Sequence, residues 1–101
     1  MRDIARYLEE SSLRWTSHIL ERLFERNIGL NYVKAALANG EILEQYPNDY
    51  PFPSCLVLGY TIAGRPLHTV CGSDGTKLWL ITAYFPSPVD WLEDFRQRRK
   101  K

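Results

Sequence analysis

Apolar residues recur at helical spacing over the first forty positions of the chain. Within residues 2–10 they lie three or four positions apart and predict a short helix. A second helix is predicted from about residue 16 to residue 26, and a third over 31–39. The second helix has one apolar stripe, which we expect to be buried against the rest of the domain. Its members are Ile19, Leu20, Leu23 and Phe24.

After residue 40 the pattern changes to the alternation and β-branched runs that are typical of strands. Four strands are predicted, over residues 41–46, 55–62, 67–71 and 77–85. Pro86 and Pro88 end the last strand, and an amphipathic helix with Trp91, Leu92 and Phe95 is expected to dock back from there. The order of elements predicts an α+β fold, in which N-terminal helices pack on a four-stranded antiparallel sheet followed by a short C-terminal helix.

Length and charge limit the kinds of function that fit the chain. The 101 residues, 45% of them hydrophobic, predict a single domain over 1–101. Its net charge of +1 conceals a basic tail, because residues 96–101 carry five positive charges. The remaining eight Lys and Arg residues face twelve Asp and Glu residues, which leaves the body at −4. A body of that sign does not hold nucleic acid by bulk charge, so any polyanion site must be local.

No apolar run approaches the ~20 residues that a membrane span needs, and the first residues lack a signal-peptide core. These features predict a cytoplasmic protein with no membrane partner. Cys55 and Cys71 are then expected to be reduced core thiols, since their spacing from the two histidines matches no zinc finger. We therefore predict neither a metal nor a cofactor.

One row of candidate catalytic and phosphate-binding residues lies on the second predicted helix. His18, Arg22 and Arg26 are four residues apart and should stack along one side of the helix. Histidine titrates near neutrality and can move protons, while arginine can hold a phosphate through two hydrogen bonds. The pattern leaves a second interpretation open, in which Glu21 and Glu25 pair with the arginines on an ordinary solvated face.

A second candidate cluster lies on the predicted sheet. Arg65 follows a turn glycine and His68 begins the next strand, in G-R-P-L-H. Thr82 and Tyr84 lie near the end of the last strand, where their hydroxyl groups could orient a phosphate. The alternatives are a hairpin arginine, a partly buried strand histidine and a tyrosine that serves packing.

The turn around residues 72–75 decides which strand positions share a face with His68. A two-residue turn at Asp74-Gly75 would place His68 opposite Ile81. A three-residue loop with a bulge at Gly75 would place it opposite Leu80, on the face of Thr82 and Tyr84. A shared face favours the second turn, and the sequence does not choose between them.

The proline-rich loop after the first predicted strand is dense in aromatic residues. Tyr46 and Tyr50 could stack on the bases of a single-stranded nucleic acid. They could equally cover an edge of the core.

Several blocks, in a fixed order, resemble a small bacterial family of unknown function. They are S-H-x3-R-x3-R-x-I, V-x2-A-L-x-N-G-E-I-x-E-x-Y-P, P-x-P-S-x-L-V-L-G, G-R-P-L-H-x-V, I-T-A-Y-x-P and W-x2-D-F-R-x-R. Together they span about residues 17–99. That family distantly resembles the RelE- and BrnT-like toxins of toxin–antitoxin pairs. The resemblance implies helices on a four-stranded antiparallel sheet and, for most such toxins, RNA cleavage without a metal.

The resemblance and the two His–Arg clusters predict a metal-independent endoribonuclease toxin, with RNA such as mRNA as substrate and an antitoxin protein as partner. His18 and His68 would share the acid–base work, and Arg22 and Arg65 would stabilise charge on the phosphate. The alternative is a non-catalytic module of the same fold that binds an anion or a protein. A third possibility is a purely structural half of an obligate pair. The oligomeric state is left open.

Overall fold

The computed structural model describes residues 4–99, which form three helices and five strands. The predicted first helix extended to residues 2 and 3, which lie outside the described residues. The elements in chain order are α1 (Ile4–Glu9), β1 (Leu13–Arg14), α2 (Ser17–Glu25), α3 (Leu30–Ala38), β2 (Glu41–Tyr46), β3 (Ser54–Tyr60), β4 (Pro66–Ser73) and β5 (Leu78–Tyr84).

The predicted α+β class is confirmed, but the sheet is mixed and has five strands. Its order is β1-β5-β4-β3-β2, and β2 to β5 pair antiparallel as expected. The additional strand β1 pairs parallel with β5, with Leu13 opposite Leu78 and Arg14 opposite Trp79. Two residues are too few to show any periodicity, which is why the sequence pattern predicted four strands.

The helices cover one face of the sheet, which we call the helix side. Alternate residues of the strands, among them Cys55, Val57, Leu67 and Cys71, join the main hydrophobic core on this face. The helix α3 approaches β3 so closely that a Cβ atom added at Gly59 would come within 1.8 Å of the Ala36 carbonyl oxygen. Only glycine permits this contact, which fixes α3 against the middle of the sheet.

The other face of the sheet is covered by residues 86–99, which we call the C-terminal strap. The prediction of a C-terminal helix in this segment is wrong. After one turn, in which the Ser87 carbonyl accepts from the backbone N–H groups of Asp90 and Trp91, the chain folds into a small hairpin. Trp91 bridges to Arg98, and the Leu92 N–H donates to the Gln97 carbonyl oxygen over 2.8 Å. The hairpin replaces helical hydrogen bonds and turns Trp91 onto the sheet, where it is buried.

The register between β4 and β5 differs from both turns considered above. Ser73 lies opposite Leu78, so the connection has four residues, 74–77. The Asp74 carboxylate shapes it, because Oδ1 accepts from the backbone N–H groups of Thr76 and Lys77. Neither Ile81 nor Leu80 lies opposite His68, whose partner is Tyr84.

A β-bulge restores the shared face in spite of that register. Thr82 pairs with Val70 and Leu80 pairs with Cys71, which leaves Ile81 as an extra residue in β5. His68, Thr82 and Tyr84 consequently lie on the strap side of the sheet, as the sequence interpretation required.

Candidate functional site

The residues of the histidine and arginine row, His18, Arg22 and Arg26, are all exposed. Thr16 caps the helix, since its side-chain oxygen accepts from the Ile19 N–H over 3.2 Å. Among the described residues, neither His18 nor Arg22 has an ion pair or side-chain hydrogen bond, and Glu21 and Glu25 do not pair with them. The solvated-face interpretation was right about exposure, but the pairing that it assumed is absent.

Arg26 follows α2 and reaches the edge of β5. One Nη1 atom donates to the Thr82 hydroxyl over 3.0 Å and to the Ala83 carbonyl oxygen over 2.9 Å. The parallel strand β1 pairs only with Leu78 and Trp79, so within residues 4–99 the end of β5 has a neighbouring strand on the β4 side alone. Arg26 therefore satisfies an edge carbonyl, and its guanidinium is already engaged.

His68 is fully buried between the sheet and the strap. Its ring meets Trp91 edge to face, with centroids 4.3 Å apart, and lies 5.3 Å from the ring of Tyr84. Nε2 is 2.8 Å from the Phe95 carbonyl oxygen, and Nδ1 is 3.3 Å from the Tyr84 hydroxyl. Because a carbonyl oxygen can only accept, the neutral ring carries its proton on Nε2, and Nδ1 accepts from Tyr84. Burial lowers the pKa of His68, which favours this neutral form.

The two histidines do not converge. His18 projects from α2, whose buried residues Ile19 and Leu23 join the core on the helix side. His68 lies on the strap side, against Trp91. The sheet separates them, so the predicted division of acid–base work between His18 and His68 lacks the geometry that it needs.

Arg65 lies in the hairpin between β3 and β4, and its guanidinium carbon is 3.4 Å from the centre of the Phe85 ring. Phe85 directly follows β5, so Arg65 and Arg26 both approach the same end of that strand. Thr82 and Tyr84 occupy this end on the strap side, where both are half-buried. Five predicted site residues thus gather at one end of β5. They are Arg26, Arg65, His68, Thr82 and Tyr84.

An ionic cluster holds the strap to β2. Arg98 donates from Nε and Nη2 to the two carboxylate oxygens of Glu44, over 3.1 Å each, and its guanidinium lies over the Trp91 ring. The Tyr46 hydroxyl donates to the same carboxylate. The Arg98 hydrogen bonds hold the pKa of Glu44 below its usual value, while burial and the Glu44 carboxylate raise the pKa of Tyr46 to about 12.

Tyr46 therefore belongs to the anchor of the strap. Its hydroxyl is committed to Glu44, and its ring is half-buried. Tyr50 is different, because its side chain is 92% exposed in the loop between β2 and β3. The structure thus leaves only Tyr50 of this pair with a free aromatic face.

A polar cleft opens between the end of β5 and the strap. It has a volume of about 490 Å³ and is lined by Tyr84, Asp90, Trp91, Arg98 and Arg99. Arg98 uses two of its N–H groups on Glu44 and keeps the others for the cleft, with 58% of its side chain exposed. A hydroxyl backed by a neutral histidine and flanked by two guanidinium groups can bind an oxyanion and accept or donate a proton.

Sequence reasoning missed the part of this site that comes from the strap. Arg96, Arg98 and Arg99 read as a basic tail, yet all three hold the strap in place. Arg96 pairs with Glu41, and Arg99 donates from Nε to the Pro88 carbonyl oxygen. The signal available was the position of these arginines directly after Trp91 and Phe95, since large aromatic residues so near the tail suit a folded segment better than a frayed end. Lys100 and Lys101 lie outside the described residues.

Within residues 4–99, no three His, Cys, Asp or Glu side chains lie close enough together to hold a metal ion. Cys55 and Cys71 are buried, unoxidised cross-strand neighbours with sulfur atoms 4.0 Å apart. None of the three helices in this range has the length and apolar character to cross a membrane.

The chain matches one known protein family. The sequence profile of a family described as Domain of unknown function (DUF4258) matches residues 15–85. The chain belongs to this family. The match runs from Trp15 to the residue after β5, so it contains α2, α3 and the strands β2 to β5. The strand β1 precedes it and the strap follows it. No curated protein and no solved structure matches the chain.

Proposed function

We propose that this DUF4258 protein is a metal-independent endoribonuclease of the toxin type. In this proposal it acts in the cytoplasm on RNA such as mRNA, has a RelE-like fold and is restrained by an antitoxin protein. The observation that carries the chemistry is the hydrogen-bonded series from the Phe95 carbonyl through His68 to the Tyr84 hydroxyl at the polar cleft. This series replaces the two converging histidines that the sequence suggested.

The fixed tautomer of His68 supplies a path for a proton. As the ribose 2′-hydroxyl gives its proton to the Tyr84 oxygen, Tyr84 passes its own proton to Nδ1 of His68. The 2′-oxygen attacks phosphorus, the bond to the 5′-oxygen breaks, and water protonates the leaving oxygen. The hydroxide that this leaves takes a proton from Tyr84, which recovers its own from Nδ1 of His68 and so restores the neutral ring. The products are a 2′,3′-cyclic phosphate and a 5′-hydroxyl. Tyr84 is the catalytic residue, and His68 acts through it.

The charge that develops on the phosphate needs cations near Tyr84. Arg98 and Arg99 line the same cleft and take the role that the sequence gave to Arg22. Arg65, at the same end of β5, remains a candidate contact for the next phosphate. His18 and Arg22 lie on the other side of the sheet and have no part in this step.

The test is cleavage of a fluorescent single-stranded RNA by the pure protein in the presence of a chelator. Tyr84→Phe keeps the ring and removes the proton path, so we expect at least a hundredfold slower cleavage. Tyr32→Phe, on the exposed side of α3, is the matched control and should cleave at the parental rate. A 2′-deoxy nucleotide at the cleaved position should block the reaction. Cleavage that survives Tyr84→Phe would contradict the proposal.

A second candidate is a non-catalytic module that binds an anion in the same cleft. The burial of His68 and its separation from His18 favour it, because His68 cannot touch a substrate directly and His18 lies on the other side of the sheet from the cleft. Binding of a non-cleavable RNA that weakens in Arg99→Gln, without any cleavage by the parent, would identify this function.

A further inference from the structure

The outer surface of α2 carries an apolar ridge that the fold does not use. We expected Leu20 and Phe24 to be buried with Ile19 and Leu23, and that prediction is wrong. Leu20 is 43% exposed and Phe24 is 84% exposed, one helical turn apart. Among residues 4–99, the most exposed of the other apolar side chains, such as Ile62 and Val89, are single residues in loops, and Ile81 on β5 is 41% exposed. Two on adjacent turns of one helix form a patch.

Carboxylates border this ridge along one side. At 100° per residue, Ser17, Glu21 and Glu25 follow directly after Leu20 and Phe24 around the helix. These five residues line a shallow open groove of about 590 Å³. Neither Glu21 nor Glu25 has an ion pair among the described residues, so both carboxylates remain available to another molecule.

We propose that the groove on α2 docks a basic amphipathic helix of a partner protein. The apolar side chains of that helix, spaced three and four residues apart, would cover Leu20 and Phe24. Lysine or arginine residues along one flank would meet Glu21 and Glu25. The charge of the groove selects this occupant, since the carboxylates repel both a nucleic acid and an acidic helix.

A second copy of the chain is a poorer match. In a two-fold antiparallel pair of α2 helices, each flank faces the same flank of the partner helix. Glu21 and Glu25 would then lie opposite Glu21 and Glu25 of the other copy, and like charges at that distance are unfavourable. The ridge therefore fits a heterologous helix better than itself.

This inference does not depend on the proposed RNA cleavage. The groove lies on the helix side and the cleft on the strap side of the sheet, so a variant in one leaves the other intact. A cleavage assay that fails says nothing against docking, and the reverse holds as well.

The test uses two synthetic helical peptides of about 16 residues with identical leucine positions. One carries lysine along a flank and the other carries glutamate at the same positions. Fluorescence anisotropy measures binding of each to the full chain. We expect the lysine peptide to bind at least about tenfold more tightly.

Variants locate the binding and check its charge. Phe24→Ser should weaken the lysine peptide about tenfold or more, whereas Ile62→Ser, at an equally exposed position in a hairpin, should not. The double variant Glu21→Lys/Glu25→Lys should reverse the preference between the peptides. All these side chains are exposed, and a thermal melt of each variant confirms folding.

Three results would overturn the proposal. The first is equal binding, or no binding, of the two peptides. The second is a preference that survives Glu21→Lys/Glu25→Lys. The third is a concentration-dependent dimer that Phe24→Ser abolishes, which would assign the ridge to a second copy.

Discussion

On the helix side, His18, Arg22 and Glu21 project from α2 into solvent without ion pairs within the described residues. On the strap side, side chains of the same chemical types pack together. His68 is buried with both ring nitrogens bonded, and Glu44 accepts two hydrogen bonds from Arg98. The difference follows from what covers each face. A charged group beside solvent needs no partner, whereas one under the strap must have partners because desolvation is costly.

The comparison separates two kinds of function. The strap side has a fixed tautomer, fixed distances and shifted pKa values, which are the conditions for chemistry. The α2 surface instead offers carboxylates without ion pairs among the described residues, next to exposed apolar residues, which are the conditions for association. Four-residue spacing, which first suggested a catalytic row, describes only the geometry of a helix. The surroundings of each side chain decide its use.

The largest expected effect is the loss of stability when the packing of the strap on the sheet is disrupted. Trp91 is 3% exposed and lies against His68, so Trp91→Ala removes a buried ring and leaves a cavity. We expect a loss of about 3–5 kcal/mol in the free energy of unfolding, measured with a chemical denaturant. Val89→Ala, two residues away but 76% exposed, is the control and should change stability by less than about 0.5 kcal/mol. A loss below about 1 kcal/mol for Trp91→Ala would show that the strap is not part of the cooperative fold.

A smaller expected effect is the pH dependence that the buried His68 gives to the free energy of unfolding. Burial lowers the pKa of His68 in the folded protein below the ordinary value of 6.5, so the unfolded chain takes up a proton that the folded chain does not. Stability from His68 is thus complete above pH 6.5 and is lost as the pH falls toward its lowered pKa. The unfolding free energy should fall with a slope that approaches about 1.4 kcal/mol per pH unit.

The measurement is a series of denaturant titrations between pH 7.5 and 5, a range set by that ordinary pKa. In His68→Gln the slope should flatten, although the variant is less stable throughout. In His18→Gln the stability should match the parent, because His18 is exposed and has no partner within residues 4–99. A slope that persists in His68→Gln would place the titrating group elsewhere.

The sequence was sufficient for features that local patterns encode. Alternation and β-branched runs located β2 to β5, and helical periodicity located α2 and α3. The shared face of His68, Thr82 and Tyr84 was also expected, although the register that produces it depends on the Asp74 loop and the bulge at Ile81. A bulge shifts every later pairing by one residue, and the periodicity of the sequence does not predict where it occurs.

Long-range contacts were beyond the reach of the pattern. Arg98 and Glu44, which form an ion pair, are 54 positions apart in the sequence. The strand β1 forms because it pairs with β5, since its own two residues carry no strand pattern. The prediction that Leu20 and Phe24 of α2 are buried was wrong for a related reason. Periodicity indicates which residues share a side of a helix, but the width of the buried surface is set by the element that covers it.

The smallest effect compares the two ion pairs of the strap. Glu44→Gln removes the charge that accepts from Arg98 and Tyr46, and we expect a loss of about 1 kcal/mol in unfolding free energy. Glu41→Gln breaks the pair with Arg96, in which both side chains are about half exposed, and should cost less than about 0.3 kcal/mol.

The pH dependence of stability tests the pair of Glu44 and Arg98 more sharply than a single free energy does. Because Arg98 holds the pKa of Glu44 below the ordinary value of 4.5, the stabilisation is complete above that pH and is lost as the pH falls below it. The difference in stability between the parent and Glu44→Gln should therefore shrink between pH 5 and pH 3, a range set by that pKa. Glu41→Gln, which breaks a pair that is about half exposed, is the control variant. If both variants behave alike, the strap is held by Trp91 and His68 alone, and the arginines near the cleft are free to turn toward a ligand.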